Sequence, residues 1–218
     1  MGEPGAVARV RWDHVLAGEL TMIKALENLP PIEEIAQNSF CDFHAKGLDY
    51  LCLKRSPSIT MKAYFFEGDA SLAPEVINPH DHRYEFFTMC LSGCVANSTW
   101  KPDAIGKVFQ QFSYLTPLNG GDGFTWERET RLRQASRRSY ERRNGYHSAR
   151  STIHTITIEK PDTVLLLKQF ADVVPVGVPT STFTRDKEPP SLKGLYREMD
   201  HDTVRKRIAQ LQAISEAP

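Results

Sequence analysis

Between Gly47 and Phe170 the chain is a succession of short apolar or alternating stretches, each closed by Gly, Pro, Asn, Asp or charged residues. These stretches run Asp49 to Lys54, Ile59 to Glu67, His80 to Leu91, Cys94 to Lys101, Lys107 to Leu115, Phe124 to Arg131, Gly145 to Arg150, His154 to Lys160 and Thr163 to Phe170. Strands read this way, with Ser56-Pro57-Ser58 and Ser92-Gly93 as turns. So many consecutive short strands imply an all-β core in which the sheet system closes on itself as a sandwich or barrel.

Helical periodicity frames that core. Val10, Val15, Leu16, Leu20, Ile23, Leu26 and Leu29 predict an amphipathic helix ending before Pro30-Pro31, and a second short helix is expected from Ile32 to Gln37. A Pro-, Thr- and Ser-rich linker follows Pro175, and the helical period resumes through Leu195, Met199, Val204, Ile208 and Leu211. The expectation is one domain over 1–218, with an N-terminal helical segment at 7–38, a barrel at 47–170 and a C-terminal helix at 191–214.

At the start of the third strand lies Asn78-Pro79-His80-Asp81-His82-Arg83-Tyr84-Glu85-Phe86, the strand itself beginning at His80. Strand side chains alternate faces, so His80 and His82 project to the same side and their ring nitrogens can share an ion, while Asp81 faces away. Tyr84 falls on the same inward face, and Glu85 points outward unless a bulge re-aims it. Asn97 and Trp100 on the return strand are expected to line the same cavity.

At these residues the chain resembles the cupins, double-stranded β-helix barrels (jelly rolls) whose first motif reads roughly G-x5-H-x-H-x3,4-E-x6-G. His80-x-His82-x2-Glu85-x7-Gly93 follows that outline, with the acidic residue one position early and no glycine six residues before His80. The cupin second motif supplies one more histidine, and His154, heading His154-Thr-Ile-Thr-Ile158, is the match, with Ala149 and Ser151 standing where the usual Pro-x-Gly would be. His147 is the rival for that place.

The resemblance implies a metal site of His80, His82 and His154, nearest in ligand set to the three-histidine thiol-dioxygenase-like cupins, with terminal helices packed outside the barrel. Neutral imidazoles suit Fe(II), Zn, Ni, Mn or Cu, with Fe(II) first by analogy with that branch. By the same resemblance the chain is expected to be a non-heme Fe(II) oxygenase or dioxygenase acting on a small polar metabolite with O2. From its place on the inward face, Tyr84 is the candidate catalytic residue, offering a phenol to a substrate or to bound O2. A cupin isomerase, lyase or hydrolase using a Lewis-acid metal, or a non-catalytic metabolite-binding cupin, is the alternative. The His-x-Asp/Glu pattern of the 2-oxoglutarate oxygenases does not match, since Asp81 lies between the histidines. Cys90 shares the His82 face on a regular strand. Cupins often pair through an edge strand or terminal segment, so a homodimer through the N-terminal helix and the Thr163 to Phe170 strand is expected.

Charge narrows the partners. Lys plus Arg and Asp plus Glu both total 27, so the net charge is zero, which speaks against nucleic acid or an anionic membrane as partner. No apolar run nears the roughly 20 residues that cross a bilayer, and Met1 to Ala6 lacks the apolar core of a signal peptide, giving a cytoplasmic expectation. Four cysteines without a CxxC pair read as free thiols. Arg128, Arg131, Arg133, Arg137, Arg138, Arg142 and Arg143 offer either a lid gripping a carboxylate or phosphate or a solvated loop; the interspersed Glu127, Glu129 and Glu141 favour the loop.

Overall fold

The computed structural model describes residues 26, 28–43, 46–67, 78–116, 120–191 and 197–216. In chain order these form helix α1 (Ile32–Ala36) and strands β1 (Phe40–Cys41), β2 (Leu48–Arg55), β3 (Ile59–Phe66), β4 (Tyr84–Ser92), β5 (Cys94–Leu115), β6 (Gly123–Glu141), β7 (Gly145–Ser148), β8 (Ile153–Ile158), β9 (Thr163–Asp172), β10 (Thr180–Thr184) and β11 (Arg197–Glu198), followed by helix α2 (His201–Glu216). Every strand pair is antiparallel.

The larger sheet runs β11-β1-β2-β3-β9-β4-β7, and the smaller holds β10-β5-β6 with β8 also on β5. Leu48, Phe66, Cys90 and Leu165 of the larger sheet pack with Val95, Ile156, Ile158 and Tyr140 of the smaller, so the two sheets face each other across a common core. The opposite face of the larger sheet carries Leu51, Leu53, Met61, Ala63, Phe65, Met89, Leu91 and Leu166 and is covered by Ile35 of α1 and Val204 and Leu211 of α2. Burial on both faces is why β2 and β3 read as near-continuous apolar runs rather than as alternation. The core is therefore all-β, a jelly roll of two sheets with helix packed outside, as the sequence predicts. The turn from β4 to β5 rests on Gly93, whose φ of +77° and close approach to Thr163 leave no room for a Cβ.

Several expected boundaries are corrected. The stretches at 94–101 and 107–115 are one strand, β5, with residues 103–106 bulging out between Pro102 and Lys107 opposite Leu132. The arginine-rich segment is not a loop: β6 continues to Glu141 and pairs with β5 along its length, while Arg128, Arg131, Arg133, Arg137 and Arg138 remain exposed. The expected linker after Pro175 contains β10, so the barrel does not end at 170. The C-terminal helix begins at His201 rather than 191. The strand at Thr163 to Phe170 is flanked by β3 and β4 and offers no edge to a second copy. Most of the expected N-terminal helix, residues 7–25 and 27, lies outside the described residues, although Leu26 and Leu29 join the helix-covered core. No helix among the described residues is long and apolar enough to cross a membrane.

Candidate metal centre

The strand predicted from His80 begins only at Tyr84, because the histidine segment belongs to the other sheet. His80 exchanges both backbone hydrogen bonds with His154 of β8, at 3.1 and 2.9 Å. Its neighbours reach β10: Asp81 N donates to Ser181 O at 3.1 Å, and Phe183 N to Pro79 O at 2.8 Å. Asp81 turns its carboxylate away from the histidines and accepts from Ser181 N at 2.7 Å. His82 N donates to Arg150 O at 3.1 Å, after which the chain crosses to the larger sheet as β4. Strand-like alternation is kept through the crossing, so both imidazoles still face inward.

The three rings form a nearly equilateral set, with centroid separations of 4.9, 5.0 and 5.1 Å for His80–His82, His80–His154 and His82–His154. One ring nitrogen from each lies within 4.8 Å of the others, and His82 Nε2 and His154 Nε2 are 2.8 Å apart. Two outer nitrogens are engaged: His154 Nδ1 donates to Asn97 Oδ1 at 2.8 Å and His80 Nδ1 to the Asn78 carbonyl at 2.9 Å. A neutral imidazole that donates through Nδ1 presents a lone pair at Nε2, the state a metal ligand requires. Burial, followed by the His80 and His154 rings, holds His82 well below the usual histidine range; burial, then His80, does the same for His154. Ring nitrogens this close to one another can serve as neighbouring ligands of one cation.

Glu85 and His147, the other ligand candidates, are set aside by the fold. They lie on the outward face, half exposed, and pair with each other at 3.4 Å. Phe86 packs edge-on against His82 from the inward face, and Tyr84 lies beside His82 with ring centroids 5.3 Å apart. Cys90 also points inward but sits in the apolar core, where burial pushes its thiol up to about 12. Six residues of strand separate it from Tyr84, roughly 20 Å. Trp100 does not line the cavity as expected; the register shift after Thr99 turns it to Phe109 and to Thr155 Oγ1, at 3.1 Å.

The rings open into a cavity of about 800 Å³ between the sheets, walled by Tyr50, Tyr64, Tyr84, Tyr114 and Phe124. Arg83 fastens the rim: it donates to Asp172 Oδ2 at 3.2 Å, to the carbonyls of Val174 and Pro175 at 2.8 and 2.7 Å, and to that of Val178. Lys62, for which sequence alone suggests no role, reaches the cavity from β3; its one signal is a lysine inside an otherwise apolar strand. A second concavity of about 840 Å³ beside α1 and α2 contains none of the three histidines.

Comparison with protein-family models found no match, and neither did comparison with curated proteins. Among solved structures, the chain is similar to KdgF from Halomonas sp. at 14% identity, over 56% of this chain and 80% of that one, with a TM-score of 0.35. It is similar to hydroquinone 1,2-dioxygenase PnpCD, solved with Cd2+ and 4-hydroxybenzonitrile, at 12% identity over 80% and 84% of the two chains, TM-score 0.37. Hydroxypropylphosphonic acid epoxidase from S. wedmorenis matches at 12% identity over 62% of this chain and 56% of its own, TM-score 0.37. At these identities and TM-scores no activity or substrate carries across to this chain.

Proposed function

We propose that the chain is a metal-dependent oxygenase of the cupin type, holding Fe(II) through His80, His82 and His154 and oxidising a small molecule with O2. The observation that carries this reading is the convergence of three imidazoles within 4.8 Å at the wall of a cavity large enough for a metabolite. His80, His82 and His154 would hold the metal, and iron bound there would supply the electrons that let O2 react with an organic molecule. The protein's part is orientation and exclusion of water. Asn97 and the Asn78 carbonyl fix the ring orientations, Phe86 closes the site from the core side, and Tyr84 presents a phenol to whatever lies against His82.

Anaerobic reconstitution followed by elemental analysis tests the site. One equivalent of iron is expected in the native sequence and less than about a tenth as much affinity in His154→Ala. O2 uptake with a turned-over substrate tests the chemistry. A native chain with no high-affinity metal uptake removes the proposal. Because the same three imidazoles also suit Zn, Ni or Mn, turnover that proceeds without oxygen would select a Lewis-acid isomerase, lyase or hydrolase instead.

A further inference from the structure

Lys62 is buried, at 8% exposure, on the inward face of β3 beside Tyr64. Its Nζ lies 3.5 Å from Tyr84 Oη, 5.0 Å from the centre of the Tyr84 ring and 5.6 Å from that of Tyr50. Among the described residues no carboxylate pairs with it. The two carboxylates lining the same cavity are engaged elsewhere, Asp81 with Ser181 N and Asp172 with Arg83. Ring faces and one long hydrogen bond return only part of what a buried ammonium loses in leaving water. A buried charge left this way, in a cavity, marks a place where a ligand completes the pairing.

Resting on the reading of this cavity as the substrate site, we propose that it takes a small organic monoanion with an apolar, ring-sized body, whose oxyanion head is bound by Lys62 Nζ and Tyr84 Oη. Tyr84 touches both ends of the arrangement, its ring 5.3 Å from His82 and its hydroxyl 3.5 Å from the ammonium. A molecule anchored at Lys62 therefore places its body within one small-ligand length of the three imidazoles. The aromatic walls supplied by Tyr50, Tyr64, Tyr114 and Phe124 suit that body. One buried ammonium matches one negative charge: of the other cations lining the cavity, Arg83 is engaged at the rim and Arg55 is exposed at the end of β2.

Three probes of one size and three charges test the proposal: benzoate, benzamide and benzylammonium, titrated against the full chain by ligand-observed NMR, with and without metal. Benzoate is expected to bind about tenfold or more tightly than the other two, in both metal states. Lys62→Met is expected to abolish that preference and Lys62→Arg to keep it; Lys62→Gln repeats the test if the methionine variant does not fold. Equal binding of acid and amide, or a preference that survives in Lys62→Met, overturns the proposal. Metal content measured on the same samples separates the two readings. A metal-loaded chain without charge preference sinks the anion site alone, and a chain that takes up no metal on reconstitution yet keeps the preference sinks the oxygenase reading alone.

Discussion

Asn97 shows how much of the centre rests on one uncharged side chain. Its Oδ1 accepts from His154 Nδ1 at 2.8 Å in a buried setting and so fixes which nitrogen of that ring faces the other two. Asn97→Ala is expected to weaken metal binding about 10- to 100-fold with all three histidines intact, measured by competition with a chelator; unchanged affinity would deny the role. Protonation supplies a second residue-level expectation. His82 and His154 are held below their unfolded value of about 6.5, so as pH falls through that value the unfolded chain takes up protons first and stability drops. The loss in the metal-free protein is at most about 1.4 kcal/mol per pH unit per histidine, and denaturant titrations at pH 7.5 and 5.5, with His154→Gln as the flatter comparison, read it. The inward pair, the third histidine and Tyr84 were legible from strand alternation and motif spacing. Lys62 was not, because a lysine in a strand is ordinarily solvated and only the fold shows that both faces of β3 are covered.

At the scale of elements, β5 and β6 depart furthest from what the sequence predicts, and for a physical reason. Most of β6 is solvated on both faces, so neither alternation nor an apolar run marks it as a strand; Leu132 is its one fully buried large side chain. It packs with Phe109 and Phe183, joining β5, β6 and β10 in a small cluster of its own. Leu132→Ala is therefore expected to cost about 2–5 kcal/mol, whereas Arg138→Gln on the same strand is expected to change stability by less than about 0.5 kcal/mol. Urea unfolding of the two variants side by side makes the comparison, and similar losses would contradict the packing described. Strand β10 escaped notice for a related reason: Thr180-Ser181-Thr182-Phe183-Thr184 carries a single large apolar residue amid turn formers, and its pairing partner lies some 70 residues away.

Across the whole molecule, the helical layer is fastened to the barrel through one buried guanidinium. Arg207 of α2, at 5% exposure, donates to Asp49 of β2 at 2.9 and 2.6 Å and to Glu67 at 2.9 Å, with its guanidinium carbon 4.7 Å from the Phe65 ring centre. Arg207→Met strands the Asp49 carboxylate in a dry contact and is expected to lose about 3–5 kcal/mol; a thermal or denaturant midpoint close to that of the parent would show that the pair is dispensable. Helical periodicity announces a covering helix but not where it is pinned, since Asp49 and Arg207 stand 158 positions apart. The same long return of the chain bears on the histidines. Pro79 and Asp81 are splinted by Phe183 and Ser181, so a shortened product that retained every candidate ligand yet stopped before Thr180 would leave His80 braced on one flank only, by the strand that carries His154.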